Sequence, residues 1–208
     1  MDNGASSYNR YLAGDDSALG DIVREYKDGL TIYLNSFTNN IHDAEELMEE
    51  TFLKIAYKKP RFSGKSSFKT WLFSIGRNIA IDYLRRIKKK KNDTSLDDCL
   101  EMRSDENIEE NYIKEEQKLM IHRALKKLRN QYSQAICLTY IEGFSNSEAA
   151  SIMHKSSRQM TNLLYQAKKA LREELEKDGR TLEQLYFDVT EGENGEKTEE
   201  GTQEAVAE

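Results

Sequence analysis

From Ser17 onward, apolar residues return every three or four positions: Leu19, Ile22, Val23, Tyr26, Leu30, Tyr33, Leu34 and Phe37. At 3.6 residues per turn they fall on one face, which predicts a first helix over 17–35. A second helix is expected to start at Ile41-His42-Asp43, with Asp43 as N-cap and Glu46 three residues on, as in a capping box. It carries Leu47, Phe52 and Ile55 and stops before Pro60, because the residue preceding a proline resists the helical region. Residues 60–66 are then a loop. A third helix begins at Ser67 and passes through Trp71, Leu72, Ile75, Ile79 and Leu84 into Arg85-Arg86-Ile87-Lys88-Lys89-Lys90-Lys91.

The periodicity fails over 92–111, where Asp97, Asp98, Glu101, Asp105, Glu106, Glu109 and Glu110 accompany few apolar residues. This stretch is a linker by composition. A second domain, 112–178, opens with helices expected over 113–128 and 133–142, the latter closed by Gly143. Ser145-Asn146-Ser147-Glu148 matches a capping box and starts a short helix ending at Met153. Ser156-Ser157-Arg158-Gln159 matches another and opens a long helix with Met160, Leu163, Leu164, Ala167 and Leu171 on one face. The pattern gives an all-α fold: two small helical domains joined by an acidic flexible linker, the second holding two capped helices across the turn His154-Lys155-Ser156. Those are helix-turn-helix proportions. The outer face of the long helix offers Arg158, Gln159, Thr161, Asn162, Tyr165, Gln166, Lys168 and Lys169, residue types that bond base edges and phosphates of duplex DNA. On spacing alone, a helical hairpin with a solvated face fits equally well.

Composition adjusts this picture in a few places. The chain has 208 residues, a single proline and eleven glycines, too few breakers for an all-β fold. The net charge of −6 is unevenly spread: residues 178–208 hold ten acids against two bases, which leaves +2 on the 177 residues before them. An acidic whole-chain balance is therefore no argument against a nucleic-acid partner. The tail, 179–208, is expected to be a solubilising end or, alternatively, to fold back and compete with DNA. Cys99 and Cys137 have neither metal spacing nor a disulfide framework, which fits a reducing cytoplasm. His42, His122 and His154 lack ligand spacing, and there is no glycine-rich phosphate loop. No catalytic residue, cofactor or metal is expected, and the chain is not read as an enzyme. With no signal peptide at Met1-Asp2-Asn3-Gly4 and no long apolar run, membrane insertion is not expected either.

Three motifs narrow the field. They are Asp43-Ala-Glu-Glu-Leu-Met-Glu-Glu-Thr-Phe-Leu-Lys54, then Phe62-Ser-Gly-Lys-Ser-Ser-Phe-Lys-Thr-Trp-Leu-Phe-Ser-Ile-Gly-Arg-Asn78, then Asp82-Tyr-Leu-Arg-Arg86. Together they resemble the second conserved region of bacterial sigma-70 family RNA polymerase sigma factors, above all the small extracytoplasmic-function (ECF) group. Ala124-Leu-Lys-Lys-Leu128, Tyr140-Ile-Glu-Gly-Phe144 and Ala167-Lys-Lys-Ala-Leu171 resemble that family's fourth region. The resemblance covers about 17–91 and 112–175, and it implies an alternative sigma factor, cytoplasmic and bacterial, acting as a monomer in the holoenzyme. It implies core RNA polymerase as partner, through its clamp coiled coil and its flap. Asp43, Glu46, Leu47, Glu50, Thr51 and Phe52 would bind the clamp. Phe62, Ser63, Gly64, Lys65, Ser66 and Asn78 would capture flipped −10 bases, while the 156–172 helix reads the −35 element. An anti-sigma factor is a further partner the resemblance allows.

The run 85–91 has six cations in seven residues. A helix C-terminus is stabilised by one or two cations, not six. Arg85, Arg86, Lys88 and Lys89 are therefore expected against phosphates beside the −10 element. Two other functions stay open: a polymerase-independent helix-turn-helix regulator on symmetric operators, and a helical scaffold without a nucleic-acid role.

Overall fold

The computed structural model describes residues 3–93 and 123–177. Among them every regular element is helical. The first lobe comprises α1 (Asn3–Leu12), α2 (Ser17–Thr38), α3 (Ile41–Lys58) and α4 (Phe68–Asp93). The second comprises a helical turn at 123–127 (α5), α6 (Asn130–Ile136), which widens into a π-helical turn over Cys137–Ile141, then α7 (Asn146–Ile152) and α8 (Ser157–Lys177). The expected linker, the start of the helix expected over 113–128, and the tail lie outside the described residues.

Helix ends follow local chemistry. α2 closes on Asn39 at φ 53°, a left-handed position that asparagine tolerates. The N-cap of α3 is Asn40, whose side chain accepts the His42 N–H at 3.0 Å, and not Asp43 as its sequence pattern suggests. Asp43 instead accepts a hydrogen bond from Tyr83 on α4. At the start of α4, the Ser67 hydroxyl accepts the Thr70 N–H at 3.2 Å. Both predicted capping boxes form: Ser145 with Glu148, and Ser156 with Gln159. Gly143, at φ 70°, ends the π-turn.

α1 is an element the periodicity does not reveal. Its buried face is made of tyrosines, Tyr8 at 0% and Tyr11 at 7% exposure, in an otherwise polar stretch. In the first lobe Ile22, Leu30, Tyr33 and Leu34 of α2 meet Leu47 and Ile55 of α3 and Phe68, Leu72 and Phe73 of α4. Each such side chain stabilises by about 1.5–3 kcal/mol on burial. Gly76 lets α4 lie close to α2, since a Cβ there would sit 3.0 Å from Leu30 Cδ1. In the second lobe Ile152, Met160, Leu164, Ala167 and Leu171 pack against α6 and the π-turn.

The sequence predicts two helical domains on a linker; the structure packs them against each other. Phe73 of α4 meets Phe144 edge-on with centroids 5.0 Å apart. The Lys69 ammonium donates to the Glu142 carbonyl at 2.7 Å and its carboxylate at 2.9 Å, over the Phe144 ring. Ser67 and Thr70 hydroxyls each reach Glu148 Oε1 at 3.2 Å, and Asn130 donates to the Phe37 carbonyl at 3.1 Å.

Candidate nucleic-acid interface

α8 divides cleanly. Met160, Leu164, Ala167, Leu171 and Leu175 are buried, while Arg158, Gln159, Thr161, Asn162, Tyr165, Gln166, Lys168 and Lys169 are all exposed. The polar set thus forms one outward face beginning at a capped N-terminus, where backbone N–H groups favour anions. Some members are engaged within the chain. Gln159 Oε1 accepts the Ser156 N–H at 2.9 Å, so its amino end is the part it can offer. Thr161 donates to the Ser157 carbonyl, Lys168 lies 4.7 Å from the Tyr140 ring centroid, and Lys169 sits 3.9 Å from Glu173. The last is an exposed ion pair, worth a few tenths of a kcal/mol, which a phosphate can displace.

The loop ahead of α4 presents Ser63, Gly64, Lys65 and Ser66 to solvent. Gly64 holds φ 70°, and a Cβ there would touch nothing, so its glycine serves backbone conformation. Phe62 differs from its neighbours. It is half-buried, 5.7 Å from the Phe68 ring and 5.3 Å from Trp71, and anchors the loop from below. Trp71 joins the same aromatic cluster, in keeping with a packing role. Asn78 is exposed further along α4.

Past Asn78, α4 carries its cations on a solvated surface. Arg85 pairs with Asp82 at 3.1 Å and Arg86 with Glu50 at 3.7 Å, while Lys88 and Lys89 are exposed. The expected clamp-binding residues of α3 separate into two groups. Glu46 and Glu50 face solvent, and Asp43 is half-buried beside Tyr83, whose phenol is pushed up to about 12 by burial and by that hydrogen bond. Leu47, Thr51 and Phe52 lie inside at 2%, 0% and 7% exposure, with Thr51 Oγ1 donating to the Leu47 carbonyl. Those three are part of the first lobe's core. In their place the outer face shows Leu53, 52% exposed, and Tyr57, 82% exposed, continuing the Glu46, Glu49, Glu50 stripe at helical spacing. The sequence pattern alone could not tell these apolar residues from core.

Comparison with known proteins agrees with this architecture. The sigma-70 region 2 model matches residues 22–90, and the sigma-70 region 4 model matches 118–171. The chain is 30% identical over 154 residues to the ECF RNA polymerase sigma factor SigM of Bacillus subtilis, covering 74% of this chain and 93% of that one. It is 29% identical over 175 residues to SigW of the same organism, covering 78% and 91%. Among solved structures, the sigma factor RpoE of Bartonella quintana, in complex with the anti-sigma factor NepR, superposes with TM-score 0.64 at 23% identity over 76% of this chain and 96% of that one. CnrH, in complex with the cytosolic domain of CnrY, gives 0.58 at 22% over 85% and 96%. The chain belongs to the sigma-70 family of RNA polymerase sigma factors, in its extracytoplasmic-function group. Its place is therefore in transcription initiation, with a DNA-binding fourth region. No described helix is long and apolar enough to cross a membrane.

Proposed function

We propose that this sigma factor directs core RNA polymerase to promoters by reading a −35 duplex with α8 and capturing melted −10 bases with the loop 62–66 and Asn78. Residues 1–91 form the polymerase-binding and −10 unit, 92–111 the linker, 112–178 the −35 unit and 179–208 an acidic tail. The observation that carries this is the exposed polar face of α8, eight consecutive outward positions rich in amide and cationic groups behind an apolar stripe. Asn162 and Arg158 bond base edges, Lys168 and Lys169 meet phosphates, and the set lies on one rigid helix. The clamp coiled coil of polymerase meets the stripe Glu46, Glu49, Glu50, Leu53 and Tyr57, where carboxylates orient a basic partner and the two apolar side chains add buried area. Asp43 supports that face from the α4 side.

Arg85, Arg86, Lys88 and Lys89 follow duplex phosphates beside the melted segment, which makes binding salt-dependent. To free Arg86, phosphate displaces Glu50 from an exposed pair of little intrinsic strength. The similar RpoE structure contains the anti-sigma factor NepR, and that of CnrH the cytosolic domain of CnrY. A partner of that kind, gripping the packed lobes, would hold both reading surfaces away from a promoter.

The test is reconstitution. Full-length protein is added to core RNA polymerase, and run-off transcripts from chromosomal fragments are sequenced. Discrete start sites appear if the proposal holds; unaltered core transcription would defeat it. Asn162→Ala should relax preference upstream and Asn78→Ala downstream. If both variants chose the same promoters as wild type, these residues would not be the readers.

A further inference from the structure

α1 precedes the matched segment 22–90 and carries no role from the family comparison. Yet it touches the one place where α3 gives way to the loop 60–66. In a helix the carbonyl of Ala56 would accept the N–H of residue 60, four positions on. Residue 60 is proline and has no N–H to give. The last helical bond of α3 is therefore Lys59 N–H to the Ile55 carbonyl, at 3.1 Å. The Tyr11 hydroxyl takes the missing place, donating to the Ala56 carbonyl at 2.9 Å. One turn earlier on α1, the Tyr8 hydroxyl donates to the carbonyl of Pro60 itself at 2.7 Å.

Two tyrosines three residues apart thus hold the chain on both sides of its exit from α3. Their rings extend the grip. Tyr8 lies 5.3 Å from Trp71 and 5.6 Å from Phe68, the same rings that seat Phe62. The Lys59 ammonium, on a residue at φ 42°, sits 4.7 Å from the Tyr11 centroid. Gly4 brings α1 flush against Phe68 and the Tyr26 hydroxyl. Beyond Phe62, residues 63–66 are exposed, so the direction in which they leave the body is set at Pro60 and Phe62.

We infer that Tyr8 and Tyr11 are positioning residues for the −10 capture loop: their hydroxyls fix the carbonyls of Ala56 and Pro60 and so hold residues 62–66 in a preformed pocket edge. The inference rests on the proposed role of that loop. A pocket that must accept an extruded base gains affinity from being ordered beforehand, because disorder in the free state is lost on binding. Removing the hydroxyls while keeping the rings preserves the packing and loosens the path.

The experiment uses holoenzyme built from core polymerase and full-length protein, with two probes. One is a randomised single-stranded DNA pool, from which bound strands are sequenced. The other is an upstream duplex of a promoter recovered by run-off transcription. Three proteins are compared: wild type, the loop variant Ser63→Ala/Lys65→Ala, and Tyr8→Phe/Tyr11→Phe. The tyrosine variant is expected to bind the enriched single strand about 3- to 10-fold more weakly, only part of the roughly 5- to 150-fold that two neutral hydrogen bonds are worth in full, because the loop is loosened and not abolished. Its base preference flattens, while upstream-duplex and core affinities stay within twofold. A role confined to stability would lower all three affinities together, and that result overturns the inference. So does a tyrosine variant with wild-type affinity and preference beside a loop variant that has lost both. A wild type that enriches no motif, or a loop variant as selective as wild type, refutes the capture-loop reading, and the inference goes with it. If the double variant does not fold, Tyr11→Phe alone, whose ring stays in place, decides by the same criteria with about a threefold loss expected.

Discussion

Lys69 joins the two lobes more directly than any other cation described, and replacing it with methionine tests whether they are packed in solution. The ammonium lies 2.9 Å from the Glu142 carboxylate, with side-chain exposures of 33% and 10%, and also holds the Glu142 carbonyl and faces the Phe144 ring. Exposed pairs contribute about 0–1 kcal/mol, whereas removing one partner of a fully buried pair costs about 3–5. This pair sits between those limits, so its coupling should be about 1–2 kcal/mol. Lost carbonyl and ring contacts bring the total for Lys69→Met to about 2–3 kcal/mol. At 1.4 kcal/mol per tenfold, lobe opening becomes about 30- to 150-fold more frequent. Cys137 reports that opening, because it is 3% exposed and borders Ile32, Asn35 and Ser36 of the opposite lobe. In a Cys99→Ser background its alkylation rate should rise by that factor in Lys69→Met, and by about 5- to 30-fold in Glu142→Gln, which loses the ion pair but keeps the carbonyl and ring contacts. The double variant should be less reactive than the two effects multiplied, by the coupling factor. Alkylation within twofold of wild type in Lys69→Met, with helicity unchanged, would show that the lobes do not rest against each other through this contact.

Glu148 supplies a pH test: its carboxyl is held below the usual range, chiefly by the Ser145 hydroxyl, with Thr70 and Ser67 adding from the first lobe. A lowered folded value stabilises fully above the unfolded carboxylate range and is lost as pH falls through the folded value. The urea-unfolding advantage of wild type over Glu148→Gln should therefore shrink on acidification, and an advantage constant from neutral pH to below that range would contradict the assignment. At the alkaline end, burial pushes Cys137 from 9.0 and Tyr8 from 10.0 to about 12 each. Stability from these neutral groups is complete below 9.0 and 10.0 respectively and lost as pH rises toward about 12, so Cys137→Ala should flatten the alkaline limb of an unfolding series. Gly4→Ala sets helix propensity, a gain of up to about 1 kcal/mol, against a methyl driven into Phe68 and within 2.6 Å of the Tyr26 hydroxyl. Overpacking costs about 1–3 kcal/mol, so the variant should melt lower, and a higher melting temperature would mean α1 is not seated there. Truncation after Lys177 should leave duplex affinity unchanged at low salt if the tail is a solubilising end, and tighten it if the tail competes with DNA.

How much of this was legible beforehand depended on how local the determinant was. Helical spacing from Leu19 to Phe37, the capping boxes at Ser145 and Ser156 and the stop at Pro60 are set within one or two turns of chain, and they formed where the pattern put them. The two-faced α8 was legible for the same reason: a stripe of Met160, Leu164, Ala167 and Leu171 leaves no other face for its amides and cations. The basic stretch of α4 and the all-helical class also followed from composition and period alone.

Tertiary structure decided what depends on residues far apart in the chain. Leu47, Thr51 and Phe52 went inward and Leu53 and Tyr57 outward because α2 and α4 cover one side of α3, and nothing in the local spacing of such a mixed helix says which side. Asp43 looked like an N-cap until Tyr83, forty residues on, gave it another donor and Asn40 took the cap. Tyr8 and Tyr11 stand in a polar stretch without a helical apolar pattern, and their place is set by the Pro60 and Ala56 carbonyls, far along the chain, that they hold. The closeness of the lobes, through Lys69, Phe73, Phe144 and Glu148, belongs to this second class. Helical period and capping need only a few neighbouring residues, whereas burial and pairing need a partner surface, and that surface exists only once the chain has folded.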